Sequence, residues 1–228
     1  MSAPTPVTVT DIEVVEDFSA TARCDEGFLQ VRRLRCRNVR ADGSHSKVYR
    51  VDVVDRPRLD AVSVLVWRRG DGGALEVLVR ENLRPAAYFR KDRSQPLPDP
   101  VRYLHTREIV AGLLENADTG EAGLLHRAAE EVREEAGYRV RPEDVRPLGG
   151  PFFVAPGILS EKIFPTEVEV TGLEAQPPHG DGSPLEEGCR TAWLPLTEVL
   201  ARCVAGELPD AKTELSVRRL LDRLAAGG

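Results

Sequence analysis

Two nearly continuous apolar runs, AVSVLVW over residues 61–67 and LEVLVRENL over 75–83, are separated only by the glycine-rich RRGDGG. Runs of that length and β-branched content read as strands, and the turn between them closes a hairpin. Because neither run alternates cleanly with polar residues, the hairpin must be covered on both faces. A chain organised around such a pair belongs in a layered architecture, with helices packed on a central sheet.

The remaining pattern supplies those layers. Residues 28–36 (FLQVRRLRC) and 47–54 (KVYRVDVV) form a further hairpin across ADGSHS, preceded by a lead-in over 1–27 that lacks sustained periodicity. The proline-rich segment from Arg84 to His105 reads as a long surface loop. A helix follows over 120–138, then strands around 145–154 and 163–170, a Gly/Pro/His loop over 176–184, a short strand near 190–194, and helices over 197–205 and 211–225. The order predicts an α/β (α+β) sandwich with helices on a mixed sheet, preceded by a small N-terminal antiparallel β extension. Residues 1–56 form the lead-in and hairpin, and 57–228 the main domain. Phe28, Tyr49 and Trp67 read as core aromatics before stacking platforms, and His126 as a surface residue.

Composition narrows the function. Lys and Arg total 31 against 37 Asp and Glu, a formal net charge of −6, so no global field draws in a polyanion such as DNA. No apolar run approaches the roughly 18 residues of a membrane span, and the opening MSAPTPVTVTDIEVVEDF carries acids where a secretory signal carries bases. A cytoplasmic protein with neither nucleic-acid nor membrane partner is expected. Cys24, Cys36, Cys189 and Cys203 show no metal-ligand spacing and read as reduced thiols.

Charge is unevenly placed along the chain. Arg80, Arg84, Arg90, Lys91, Arg93, Arg102 and Arg107 precede a stretch crowded with Glu115, Glu121, Glu130, Glu131, Glu134 and Glu135. On the helix over 120–138, Leu125, Ala128, Ala129, Val132 and Ala136 form one apolar stripe, and Glu131, Glu134 and Glu135 share the flank beside it. Glutamates at i, i+3 and i+4 can converge on a hard divalent cation that takes its remaining ligands from water and phosphate.

The run from Glu131 to Tyr138 (EVREEAGY) resembles the end of the Nudix hydrolase box, the Glu-U-x-Glu-Glu-x-Gly-U that follows its Arg, with U apolar, at every fixed position. Gly112 and Glu121 fit its first half with four residues added in all, and Glu130 stands where the family carries Arg. Four further stretches, ENLRPAAY, REIVAGLLE, PGILSEK and GELPDAKT, resemble the ADP-ribose pyrophosphatase group in order along residues 28–224.

The resemblance implies a Nudix-type α/β/α sandwich and Mg²⁺- or Mn²⁺-dependent cleavage of a nucleoside diphosphate sugar, ADP-ribose first among them. UDP-glucose, GDP-mannose or a diadenosine polyphosphate remain as other substrates, and a non-catalytic sensor of nucleotide sugars as another class. Glu131, Glu135, Glu121 and the Ala111 carbonyl would hold metal, with Glu134 beside them. Glu161 would act as general base, Arg84 would hold the diphosphate, Glu108 would lie near the terminal ribose, and Arg56, in competition with Arg58, would reach the nucleotide. The residue reading adds Arg127, one turn before Glu131, as the cation that pairs with Glu131 or Glu134 in place of the missing Arg. A homodimer built through the N-terminal hairpin is expected from the same resemblance.

Overall fold

A computed structural model describes residues 10, 21, 23–178, 180 and 182–226. Most of the lead-in over 1–27, and His179 of the Gly/Pro/His loop, lie outside the described residues. Strands β1 (Gln30–Cys36) and β2 (Tyr49–Asp55) pair antiparallel as a separate two-stranded sheet. Eight further strands make one mixed sheet: β3 (Ala61–Arg69), β4 (Leu75–Leu83), β5 (His105–Glu108), β6 (Val110–Leu113), β7 (Arg146–Pro147), β8 (Phe152–Phe153), β9 (Lys162–Glu169) and β10 (Arg190–Pro195). Helix α1 (Pro85–Tyr88) is a single turn, and α2 (Gly120–Glu131), α3 (Leu196–Val204) and α4 (Ala211–Ala226) are the layer-forming helices.

The apolar hairpin is the centre of this sheet, as its composition requires. β9 runs parallel to β3 over its whole length, from Ala61↔Ile163 to Trp67↔Glu169, whereas β10 pairs antiparallel with β4. Side chains alternate between two cores. Val62, Val64, Val66 and Leu78 face α2 through Ala128, Ala129, Val132 and Ala136; Leu65, Trp67, Val77 and Val79 face α3 and α4 through Leu196, Val199, Val217 and Leu220. The stripe read on the acidic helix is thus its buried face. Trp67 Nε1 donates to the buried Glu167, whose other oxygen takes Arg223 Nη2 of α4 at 3.0 Å, so this buried carboxylate is paired on both oxygens.

Several local features depart from the sequence reading. β3 and β4 pair only from Trp67↔Val77 to Arg69↔Leu75 and then splay; β6 pairs with β3 and β5 with β4 inside the opening. Strands of four residues are too short to show periodicity, and neighbours on either side dictate them. The stretch 84–105 is not wholly a surface loop: α1 and a 3₁₀ turn over Phe89–Asp92 carry Tyr88 into the core. The region 145–154 contributes only two-residue strands. Phe28 and Tyr49 are 57% and 44% exposed, contrary to the core reading, because their hairpin stands off the main body; Trp67 is buried. Among the described residues no helix is long and apolar enough to cross a membrane.

Helix α2 does not continue regularly to Tyr138. After Glu131 the chain widens into a π turn over Val132–Ala136 and stops at Gly137, which has φ 77°. Such turns concentrate at functional sites. The end is clamped by the 176–189 loop: Gln176 N donates to the Gly137 carbonyl at 2.9 Å and Gly180 N to that of Glu134 at 3.1 Å. A Cβ on Gly137 would both demand a left-handed conformation and overlap the Gln176 carbonyl oxygen. Gly137→Ala should therefore destabilise the protein by about 2 kcal/mol or more, lowering the melting temperature by at least about 4 °C. A thermal melt indistinguishable from the parent contradicts this account of the helix end.

Candidate active site

Where β3 and β4 splay, the acidic end of α2 lies against β6. Gly112, opposite Val62 in the ladder, is the contact point, and a Cβ there would overlap the Glu131 carboxylate. The glycine is what lets a glutamate approach the strand so closely. Glu135 is held from two sides. Its Oε2 accepts the Ala111 N–H at 3.1 Å, and its Oε1 is ion-paired with Nη1 of Arg80 on β4. Glu134, half-exposed, pairs with its neighbour Arg133 at 2.8 Å.

Electrostatics sets these carboxylates apart. Burial, then the charges of Glu135 and Glu134, push Glu131 up to about 8. Burial also pushes Glu135 up to about 7, against the Arg80 guanidinium and the Ala111 amide, which favour its charged form. Among the described residues no ion-pair partner reaches Glu131. A buried carboxylate without a counter-cation is costly, and hard oxygen donors on such a group suit Mg²⁺ or Mn²⁺. Among the described residues no three acidic, His or Cys side chains already converge as a ligand set. Among the described residues Glu131 and Glu135 carry the donor chemistry that fits a divalent cation.

A second cluster lies alongside on β4, β5 and the start of α4. Glu108, 3% exposed, accepts Arg84 Nε at 2.7 Å, Asn82 Nδ2 and Thr106 Oγ1 at 3.3 Å each, and Lys212 Nζ at 3.2 Å. Burial alone would raise its pKa, but Arg84, Lys212 and Asn82 together hold it at about 2. Arg84 spends only its Nε on Glu108, and its side chain remains 45% exposed at a cavity of about 430 Å³ that Arg90, Tyr103 and Lys212 also line. Asp210 caps α4 by accepting the Thr213 N–H at 3.0 Å and its hydroxyl at 2.6 Å, and Thr213 Oγ1 in turn accepts the Ile109 N–H at 3.0 Å. Arg84 also feels the Glu135 charge, which joins the two clusters.

The expected residues divide accordingly. Glu131, Glu134, Glu135 and Ala111 gather at one pole, Ala111 through its amide; Arg84 and Glu108 form the other. Arg56 and Glu161 are ion-paired with each other at the loop before β9, while Arg58 is drawn to Glu115. Glu121 is not part of the cluster. It sits in the first turn of α2, ten residues and about 15 Å of helix rise from Glu131, beside a cavity lined with Asp60, Leu114 and Pro147. Arg127 does not pair with Glu131 or Glu134: Asp118 takes its Nε at 2.8 Å and Glu130 its Nη1 at 3.1 Å, because the 114–119 loop brings Asp118 beneath the helix start. His126 is exposed, as read.

Sequence reasoning missed Arg80, Lys212, Asp210 and Glu186. For Arg80 a signal existed, since a charge at the middle of the apolar run 75–83, two and four residues before Asn82 and Arg84, places all three on one strand face. No protein-family model matches the chain, and no curated protein matches it.

The raised carboxylates have a measurable consequence. With divalent cations chelated, folded Glu131 and Glu135 keep protons that the unfolded chain releases near the ordinary value of 4.5. Their contribution to stability is complete below that value and is lost as pH climbs through about 7 to 8. Glu108 works in the opposite sense, its contribution being complete above about 4.5 and lost as pH falls towards 2. Melting temperature in chelator should decline between about pH 5 and about pH 8; a flat or rising profile over that interval contradicts the assignment.

Proposed function

We propose that the protein hydrolyses the diphosphate bond of a nucleoside diphosphate sugar with Mg²⁺ or Mn²⁺, taking ADP-ribose to AMP and ribose 5-phosphate. The observation that carries this reading is the pairing of two poles: the half-buried Glu131 and Glu135, of which Glu131 has no ion-pair partner among the described residues, beside a cavity edged by Arg84 and Lys212. A diphosphate spans such a pair naturally, since guanidinium groups grip its oxygens and carboxylate-bound cations neutralise the rest. The resemblance to the ADP-ribose pyrophosphatase group supports the substrate class.

In this mechanism Arg84 binds the diphosphate through its two terminal amino groups and fixes it for in-line attack, while Glu108 keeps Arg84 in place. Glu131 and Glu135 would hold a divalent cation, which would supply Lewis-acid neutralisation of charge on the phosphoryl oxygens. Glu161 accepts a proton from the attacking water once Arg56 turns from it to the substrate. The water oxygen forms a bond to phosphorus, the bond to the bridging oxygen breaks, and the second phosphate departs with that oxygen. The Arg56–Glu161 ion pair also favours a second reading, a nucleotide-sugar binder without hydrolysis, because it occupies the base. Release of phosphatase-sensitive products from ADP-ribose with Mg²⁺ decides between them, and a panel with UDP-glucose and GDP-mannose assigns the substrate.

Glu131→Gln is the sharpest variant. It should lower turnover by about a hundredfold or more, while the melting temperature in chelator stays level or rises, since the amide imitates the protonated acid. Activity within a factor of about three of the parent removes Glu131 from the site.

The hairpin β1–β2 supports a further reading, that the protein works as a homodimer. Two strands alone are marginal in water, and this pair leaves Phe28, Leu34, Val48 and Tyr49 exposed while meeting the body at the end of β2, where Val54 donates to the Ile158 carbonyl at 2.8 Å and Asp55 accepts the Ser160 hydroxyl. Light scattering should return twice the 25.1 kDa chain mass; a monomer at micromolar concentration contradicts it.

A further inference from the structure

Arg80 is a charged residue in the middle of a central strand, 4% exposed, on the strand face it shares with Leu78 and Asn82. A guanidinium is buried at that depth only when its donors are matched. Here they are divided: Nη1 is on Glu135 Oε1 and Nη2 on Glu186 Oε1 at 2.9 Å. Glu186 belongs to the loop that clamps the π turn, and with Arg80, Glu135 and Cys189 it lines a cavity of about 460 Å³.

On α2 itself the matching charge is absent. Glu130 is an acid, and Arg127 is committed to Asp118 and Glu130. The only cation ion-paired with Glu135 among the described residues comes from the sheet. With the Ala111 amide on the other oxygen, the planar fork of Arg80 fixes both the position and the rotation of the Glu135 carboxylate.

We infer that Arg80 is the positioning residue for Glu135, supplied from β4 in place of a helix-borne cation and held in register by Glu186. The inference rests on the reading of Glu131 and Glu135 as cation ligands. It has an opposing-sign signature. A guanidinium paired with a ligating carboxylate repels the incoming cation, so it weakens cation binding while orienting the ligand for catalysis. Loss of Arg80 should therefore tighten the cation and slow the reaction, whereas a residue needed only for folding would degrade both together.

The test uses the full chain as wild type, Arg80→Gln and Arg80→Lys, with Mn²⁺ binding followed by electron paramagnetic resonance without substrate and hydrolysis of ADP-ribose measured separately. For Arg80→Gln the expectation is Mn²⁺ bound about threefold or more tighter, kcat lowered about tenfold or more, and KM within about threefold of wild type. Arg80→Lys keeps the charge but cannot span Glu135 and Glu186 with one amine, so Mn²⁺ affinity should hold and kcat should fall. Wild-type kcat in either variant overturns the inference, as does a parallel loss of Mn²⁺ affinity and kcat in Arg80→Gln. If Arg80→Gln does not fold, Arg80→Lys decides by the same criteria. A wild-type chain that binds no Mn²⁺ removes the cation reading and this inference together; one that binds and hydrolyses, with unchanged Arg80 variants, removes this inference alone.

Discussion

The site depends on β3 and β4 parting company. They pair for three residues next to their turn and then diverge, and a sheet cannot leave an opening of unpaired amides and carbonyls in its interior. β5 and β6 fill it, one on each side, and in doing so they carry Glu108 and Gly112 to the same end of the molecule. Every group at that end is placed relative to this wedge. α2 approaches it through Gly112, α4 through Thr213, and the face of β4 that diverges presents Arg80, Asn82 and Arg84 in sequence.

Charge at the wedge is segregated, although it nearly balances across the whole chain. Glu108 is saturated by donors and stays ionised, so the basic pole is rigid and pre-organised. Glu131 is drawn towards its neutral form by burial and by the charges of Glu135 and Glu134, so the acidic pole is short of positive charge. Two glutamates of one site therefore differ widely in proton affinity, about 2 for Glu108 against about 8 for Glu131, because donors surround the first while burial and neighbouring carboxylates act on the second.

The layered fold was legible because its signals are long. The apolar hairpin, the stripe on α2 and the two C-terminal helices each extend over enough residues for periodicity to speak, and all appear where the pattern puts them. β5 and β6 were not legible, since four-residue strands are imposed by neighbours far along the chain. At the site, the pattern of glutamates at 131, 134 and 135 was visible, and so was a need for a cation to accompany them. Its source was not. Arg127 stands one turn before Glu131, but helical spacing says nothing about the loop that brings Asp118 to it, and Arg80 reaches Glu135 only through tertiary pairing of β4 with the wedge. Phe28 and Tyr49 were misjudged for a related reason: aromatic character signals burial only when the element carrying them has a surface to pack on.

The bond from the Ile109 amide to the Thr213 hydroxyl spans 104 residues, and Lys212 reaches back as far to Glu108. Synthesis proceeds from the N-terminus, so β3 to β6 and α2 emerge well before either partner exists. Until α4 begins to appear, Glu108 lacks its lysine and the Ile109 amide lacks its acceptor, while the sheet face opposite α2 lacks part of its cover. Helix α4 thus both closes the second core and completes the basic pole. A chain truncated before residue 211 keeps Arg84, Asn82 and Thr106 to match Glu108 but lacks Lys212 and the Thr213 hydroxyl that fix the pole against the second core.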